Sequence, residues 1–127
     1  EIDLSEFHQV VLDPTVVVPA PAQGVLALQI RENDQEMFAI MQNLNHPEVA
    51  SKIAVERKVL NLMEGGCQLP LGVYSPEDGK VYVSHANNWE DGADWMLYEF
   101  DELENMAELI IEDINSDDDD DDLEEEA

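Results

Sequence analysis

The sequence has few basic residues, one cysteine and no long hydrophobic run. Its 127 residues include 5 Lys and Arg against 31 Asp and Glu, which gives a formal net charge of −26 at pH 7. Such an acidic surface repels the phosphates of nucleic acids and of anionic membranes, so we expect no nucleic-acid partner and no membrane partner. No apolar run approaches the roughly 18–20 residues that span a bilayer, and no secretion signal opens the chain.

The one cysteine, Cys67, cannot form an internal disulfide. Zinc sites need about four ligands at close spacing, and the histidines stand far apart, at His8, His46 and His85. We therefore expect no metal site. A single thiol without a secretion signal fits a reducing compartment, so we predict a cytoplasmic protein. Because the sequence begins with Glu1 instead of Met, we also expect that its beginning has been removed or that the chain belongs to a longer polypeptide.

The C-terminal residues are mostly acidic, with unbroken runs at 117–122 and 124–126. Like charges repel one another and little apolar surface is left to bury, so we predict a disordered acidic tail over residues 115–127. Such a tail ordinarily serves solubility. An acidic module that binds basic proteins stays open as an alternative function.

The apolar pattern of residues 35–114 predicts an α+β fold, in which helices cover a small open three-stranded antiparallel sheet. Helices are predicted over 35–43 with Asn33 or Asp34 as the cap, from Pro47 to about Met63 with Gly65 as the C-cap, and over 101–114. Strands are predicted at Gln68–Tyr74, Lys80–Asn87 and Trp95–Phe100. The short turns between these strands favour an antiparallel meander.

The N-terminal part of the chain is less regular. Residues 1–16 predict a short helix or an irregular lead-in, and residues 17–24, with Pro19 and Pro21, predict an extended crossing segment stiffened by proline. The apolar run Val25–Ile30 is typical of a strand buried on both faces. Such a strand needs neighbours that this part of the chain does not offer, so the sequence predicts an incomplete sheet.

Cys67 lies in a predicted turn between a helix and a strand, directly after Gly65 and Gly66. Glycines there allow backbone conformations with positive φ and leave room for a bulky group near the sulfur. The role of Cys67 stays open between a buried structural thiol, a nucleophile paired with His46 or His85, a redox-sensing thiol and a covalent anchor for a cofactor.

Four segments occur in the order and spacing of one family: Pro19–Gly24, Leu44–Glu48, Val55–Arg57 and Glu64–Gly72. The chain resembles the C-terminal part of the hydroxymethylbilane synthases, also called porphobilinogen deaminases, over about residues 17–114. The segment Met-Glu-Gly-Gly-Cys-Gln-Leu-Pro that contains Cys67 is the most specific part of the match. One departure is Ala22, which stands where the family usually has glycine.

The resemblance implies a transferase of tetrapyrrole (haem and porphyrin) biosynthesis. Members polymerise four porphobilinogen units head to tail into hydroxymethylbilane, with loss of ammonia. They do so on a dipyrromethane cofactor held by a thioether to the cysteine that matches Cys67. By the same resemblance, Gln23 and Gly24 would lie beside the catalytic cleft with donors for substrate or cofactor. We infer in addition that Gly65 and Gly66 would let the anchor shift as the chain lengthens.

The family's catalytic aspartate and its substrate-binding basic residues belong to two domains that are absent from this chain. The resemblance therefore implies no catalytic residue here, and we predict that the fragment alone is inactive with Cys67 a free thiol. The intact enzyme is expected to be a monomer. The resemblance implies that residues 1–16 end the second domain and that residues 17–34 form the hinge and the strand returning to the first domain. Residues 35–114 would form the cofactor-anchoring domain, and residues 115–127 the acidic tail.

Two further positions match the family on the helix that precedes the cysteine, Glu56 and Arg57. We interpret these two residues as forming a structural ion pair that anchors the helix to a neighbouring segment. The alternative is direct contact with a ligand. By the same resemblance, Val25–Ile30 would complete the sheet of the absent first domain, which accounts for its missing neighbours.

Overall fold

The computed structural model describes residues 4–63, 70–90, 92–101 and 105–121, with side chains described as far as Ser116. Its elements in chain order are α1 (Gln35–Gln42), α2 (Pro47–Leu62), β1 (Leu71–Tyr74), β2 (Lys80–His85), β3 (Asp94–Glu99) and α3 (Met106–Asp121). The strands form one antiparallel sheet in the order β1-β2-β3. The predicted α+β fold with a small open three-stranded sheet is confirmed.

The core lies between one face of the sheet and the helices α2 and α3. Side chains alternate along β2, so that Val81 and Val83 are completely buried, as expected when one face of a strand points inward. Val59 of α2 and Ile110 of α3 pack against this face and are also completely buried. Each helix therefore needs the sheet to bury its apolar side.

The starts of the first two helices follow the predicted capping chemistry. The Asp34 carboxylate accepts a hydrogen bond from the Met37 N–H at 2.9 Å, which satisfies a backbone donor in the first turn of α1. Helix α2 begins with Pro47, where the missing N–H costs nothing, after His46 at the cap position. The predicted end of α2 at Gly65 lies outside the described residues.

The third helix differs from its predicted span of 101–114, since it begins at Met106 and continues to Asp121. The start is displaced toward the first residues that the core buries, Met106 and Ala107. Extending a helix costs far less than nucleating one, and repulsion between exposed aspartates is weakened by solvent and salt. A helix held by Ile110 and Ile114 thus continues past residue 115, where the sequence predicted disorder.

The strand predicted at Val25–Ile30 is not formed in this structure. Leu26 is 92% exposed and Leu28 is 67% exposed, and the ladders of the described sheet involve β1, β2 and β3 alone. A strand persists only where a neighbour pairs with its backbone groups. The sequence prediction places this strand in the sheet of a domain that lies outside this sequence, so it stays a prediction.

The crossing segment, residues 17–24, lies along the outer edge of β1. The Val73 N–H donates to the Pro19 carbonyl at 3.0 Å, on the side of β1 that faces away from β2. At Gly72 an added Cβ would stand 2.6 Å from the Val18 carbonyl oxygen. The close approach of crossing segment and strand therefore depends on glycine at position 72.

Among the described helices, none is long and apolar enough to span a bilayer.

We expect Gly72→Ala to lower the free energy of unfolding by about 1–3 kcal/mol, because the added methyl group has to displace the backbone of the crossing segment. Urea unfolding measures the change. The matched control is Gly92→Ala, where an added Cβ meets nothing within 4 Å. Equal stability of the two variants would show that the crossing segment does not pack against β1 as described.

Candidate functional site

The predicted anchor residues Cys67, Gly65 and Gly66 lie outside the described residues. The two ends of their segment are described. Helix α2 ends beside Met63, and Pro70 precedes β1, where its carbonyl accepts a hydrogen bond from the Ala86 N–H at 3.1 Å. The segment that contains Cys67 is thus joined at both ends to elements of the core.

Gln23 and Gly24 lie in two successive tight turns. The Gln23 N–H donates to the Ala20 carbonyl at 3.1 Å, and the Val25 N–H donates to the Ala22 carbonyl at 3.3 Å. The third residue of each turn has a positive φ, +60° at Ala22 and +81° at Gly24, as a type II turn requires. The Gln23 side-chain oxygen accepts from the Ala20 N–H at 3.3 Å, so this oxygen helps to close the turn itself.

Ala22 occupies a conformation that L-residues with a side chain seldom adopt. The left-handed region costs a non-glycine residue roughly 1–2 kcal/mol, because Cβ comes too close to the backbone carbonyl oxygen. Glycine, which the resemblance implies at this position, adopts such a conformation without that cost. The strain at Ala22 is held in place by the contacts that its N–H and carbonyl make.

We expect Ala22→Gly to raise the free energy of unfolding by up to about 1 kcal/mol, because the relief of strain exceeds the entropy that glycine adds to the unfolded chain. The control is Ala20→Gly, at a position in the same segment with no positive φ, which should lower stability. Urea unfolding of both variants checks the sign. A loss of stability in Ala22→Gly would contradict the strained turn.

Glu56 links this turn to the sheet. Its side chain is only 3% exposed, and each carboxylate oxygen accepts one backbone hydrogen bond. One oxygen accepts from the Ala22 N–H at 2.7 Å and the other from the Ser75 N–H at 2.8 Å. Ser75 directly follows β1, so a single side chain of α2 holds the turn and the end of the strand together.

The prediction that Glu56 and Arg57 form a structural ion pair is wrong. Among the described residues, the ion pair is Lys58 with Glu108, between α2 and α3, and Arg57 is exposed. Two N–H donors satisfy the Glu56 carboxylate without the cost of bringing a cation into a buried place. The predicted anchoring of the helix to a neighbouring segment is thus achieved by backbone donors, which sequence reasoning did not identify.

Burial raises the pKa of the Glu56 carboxyl above its usual value of 4.5, and the hydrogen bonds from Ala22 and Ser75 act against that rise. Because the unfolded chain keeps the usual pKa, the folded chain binds more protons in the window just above pH 4.5. The stability linked to this group is fully present below pH 4.5. It is lost as the pH rises through the higher pKa of the folded state.

We expect the unfolding free energy of the wild-type chain, minus that of Glu56→Gln, to fall as the pH rises from 4.5 toward neutrality. Urea unfolding at several pH values gives this difference, in which the effects of the other carboxylates cancel. Glu112→Gln, on an exposed part of α3, serves as the control and should show no such fall. A difference that grows with pH would contradict the raised pKa of Glu56.

A cleft of about 490 Å³ lies between the crossing segment, α2 and the β1–β2 turn. Its charged lining consists of Lys52 with the carboxylates Glu48, Glu56 and Glu77. Such a lining repels an anionic ligand more than it attracts one. In the described part of the chain, no group of three or more His, Cys, Asp or Glu side chains is placed to hold a metal ion.

Fold and site together define a small α+β domain in which the segment that contains Cys67 joins α2 to the edge strand β1. The turn of the crossing segment lies beside them, and the Glu56 carboxylate links it to the helix and to the end of the strand. Residues 50–86 match the family model of the porphobilinogen deaminase C-terminal domain. That match contains most of α2, the segment around Cys67, and strands β1 and β2.

Individual relatives agree with the family match. The chain is 44% identical over 72 residues to a porphobilinogen deaminase of Oceanobacillus iheyensis, covering 57% of this chain and 23% of the relative. A porphobilinogen deaminase of Gloeobacter violaceus is 42% identical over 74 residues, covering 58% and 23%. One of Blochmanniella pennsylvanica is 28% identical over 118 residues, covering 89% and 39%.

The chain is therefore similar to the C-terminal part of porphobilinogen deaminases, which confirms the family resemblance seen in the sequence. It spans between 23% and 39% of the length of these three relatives.

Proposed function

We propose that this chain is the C-terminal part of a hydroxymethylbilane synthase and that Cys67 is its covalent cofactor anchor. The observation that carries the proposal is the family match over residues 50–86, which includes Cys67 and the helix and strands on either side of it. The intact enzyme is a transferase that polymerises porphobilinogen into hydroxymethylbilane in tetrapyrrole biosynthesis.

The chemistry of the chain fits the covalent link to a dipyrromethane. Cys67 is its one thiol, and a soft sulfur nucleophile forms stable bonds to electrophilic carbon. When bound, the cofactor supplies the pyrrole on which the product chain is built. Gly65 and Gly66 give the anchor freedom to move as that chain lengthens, and the turn at Gln23 and Gly24 offers polar groups to the cofactor or substrate.

The described part of the chain does not fit the carboxylates of such a pyrrole chain. Acetate and propionate groups need basic partners, whereas the cleft beside Gln23 carries three glutamates and one lysine. We therefore assign substrate binding and catalysis to domains outside this sequence. Residues 1–16 then end the second domain, 17–34 form the hinge and strand returning to the first, 35–114 form the anchoring domain and 115–127 form an acidic tail.

In this proposal the partners of the chain are the two preceding domains of one monomeric, cytoplasmic enzyme. The unpaired segment Val25–Ile30 supports that arrangement, since its apolar side chains are largely exposed without a neighbouring strand. The first domain would provide the backbone partners that this segment lacks here.

The test is the intact mass of the full-length polypeptide that contains this chain, compared with its Cys67→Ser variant. We expect the wild type to carry an adduct of the mass of a dipyrromethane and to convert porphobilinogen, and the variant to lack both. An unmodified wild type that is still active would overturn the anchor.

Two shortened proteins complete the same experiment. Residues 1–127 alone should form no hydroxymethylbilane from porphobilinogen, and any turnover by them would contradict the assignment of catalysis to other domains. A full-length protein without residues 115–127 should keep its activity, whereas loss of activity with the tail would favour a function carried by the acidic segment.

A further inference from the structure

The contacts of Glu56 reach two segments that are distant in sequence. Ala22 lies 34 residues from Glu56, and Ser75 lies 19 residues from it. The side chain that joins them projects from the middle of α2, one turn before the completely buried Val59. Glu56 is therefore fixed to the core of the domain, and the position of the turn follows from it.

The other contacts of the crossing segment act before the turn. The hydrogen bond from Val73 ends at Pro19, and the close approach at Gly72 involves Val18. The Glu56 contact is at Ala22, directly before Gln23 and Gly24. Among the described hydrogen bonds of residues 20–25, it is the one that ties this turn to α2, since the others close the turn upon itself.

The two bonds are also strong ones of their class. Both are short, at 2.7 and 2.8 Å, within the distance range of hydrogen bonds between N–H groups and a carboxylate. A positive φ at Ala22 is a backbone conformation that relaxes unless its surroundings hold it. The Glu56 carboxylate supplies such a hold at the Ala22 N–H.

We propose that Glu56 is a positioning residue, which sets the place of the Gln23–Gly24 turn relative to the strand that leads away from Cys67. The proposal rests on the function proposed above in one respect, that Cys67 bears the cofactor. Glu56 itself touches neither substrate nor cofactor in this proposal. It acts through Ala22 on one side and through Ser75 and β1 on the other.

The first test measures hydrogen exchange of the full-length polypeptide at a temperature where every variant is folded. Glu56→Gln keeps one acceptor oxygen and places an NH₂ group where the second stood, so at most one of the two N–H bonds survives. Glu56→Met removes both acceptors with little change of volume. Glu112→Gln, an exposed change on α3, is the matched control.

We expect peptides covering residues 17–25 or 71–79 to exchange at least about tenfold faster in Glu56→Gln, and both to do so in Glu56→Met. Peptides from β2 and from the middle of α3 should exchange as in the wild type. Unchanged exchange around Ala22 in both variants would overturn the proposal. Faster exchange throughout the domain would also overturn it, because Glu56 would then be a general stabilising residue.

The second test measures the fraction of the same polypeptide that carries the dipyrromethane adduct, from intact mass. We expect a several-fold lower adduct fraction in both Glu56 variants and an unchanged fraction in Glu112→Gln. Full loading of Glu56→Met despite fast exchange around Ala22 would overturn the positioning role and leave the proposed function standing. A wild type without any adduct would overturn the proposed function instead, while the exchange test still decides whether Glu56 holds the turn.

Discussion

The buried carboxylate of Glu56 joins the parts of this domain that the covalent chain leaves far apart. Burying a charge without partners is costly, and two backbone N–H groups from different segments offset part of that cost. Helix, crossing turn and strand end are consequently located relative to one another by one side chain. The segment around Cys67 is joined to the same helix at one end and to the same strand at the other.

The distribution of charge is consistent with the division of tasks in the proposed function. A covalent anchor needs a thiol and room around it, and it needs no cation. Holding polycarboxylate intermediates needs many cations, and this chain has 5 Lys and Arg in 127 residues. Under the proposed function, an acidic anchoring domain would also not bind the growing anionic chain along its own surface, since like charges repel.

The sequence predicted most helices and strands correctly, because their bounds depend on residues close together in the chain. The spans of α1, α2, β2 and β3 lie within about two residues of their predicted bounds, because capping residues, Pro47 and alternating apolar residues act over a few positions. Residues Val25–Ile30 form no strand in this structure, because a strand requires a partner that pairs with its backbone groups. The predicted end of α3 was wrong because adding residues to an existing helix outweighs the repulsion between neighbouring aspartates.

The candidate site was less accessible to the same reasoning. Family resemblance indicated Cys67, Gln23 and Gly24, which composition and spacing alone left undecided. The partners of Glu56 were missed because they are backbone groups 34 and 19 residues away, and any residue type other than proline offers such a group. The strained backbone at Ala22 was visible only as a departure from glycine.

Because the crossing segment lies along β1, the two edges of the sheet differ in whether a neighbouring segment covers them. In the described part of the chain, the outer side of β1 is paired with Pro19, while β3 has an open edge that carries the half-exposed Trp95 and Leu97. Asp94 and Glu99 stand at the two ends of that strand. Charges at the ends of an open strand discourage edge-to-edge stacking between molecules, so the acidity that limits what this domain can bind also protects it from aggregating.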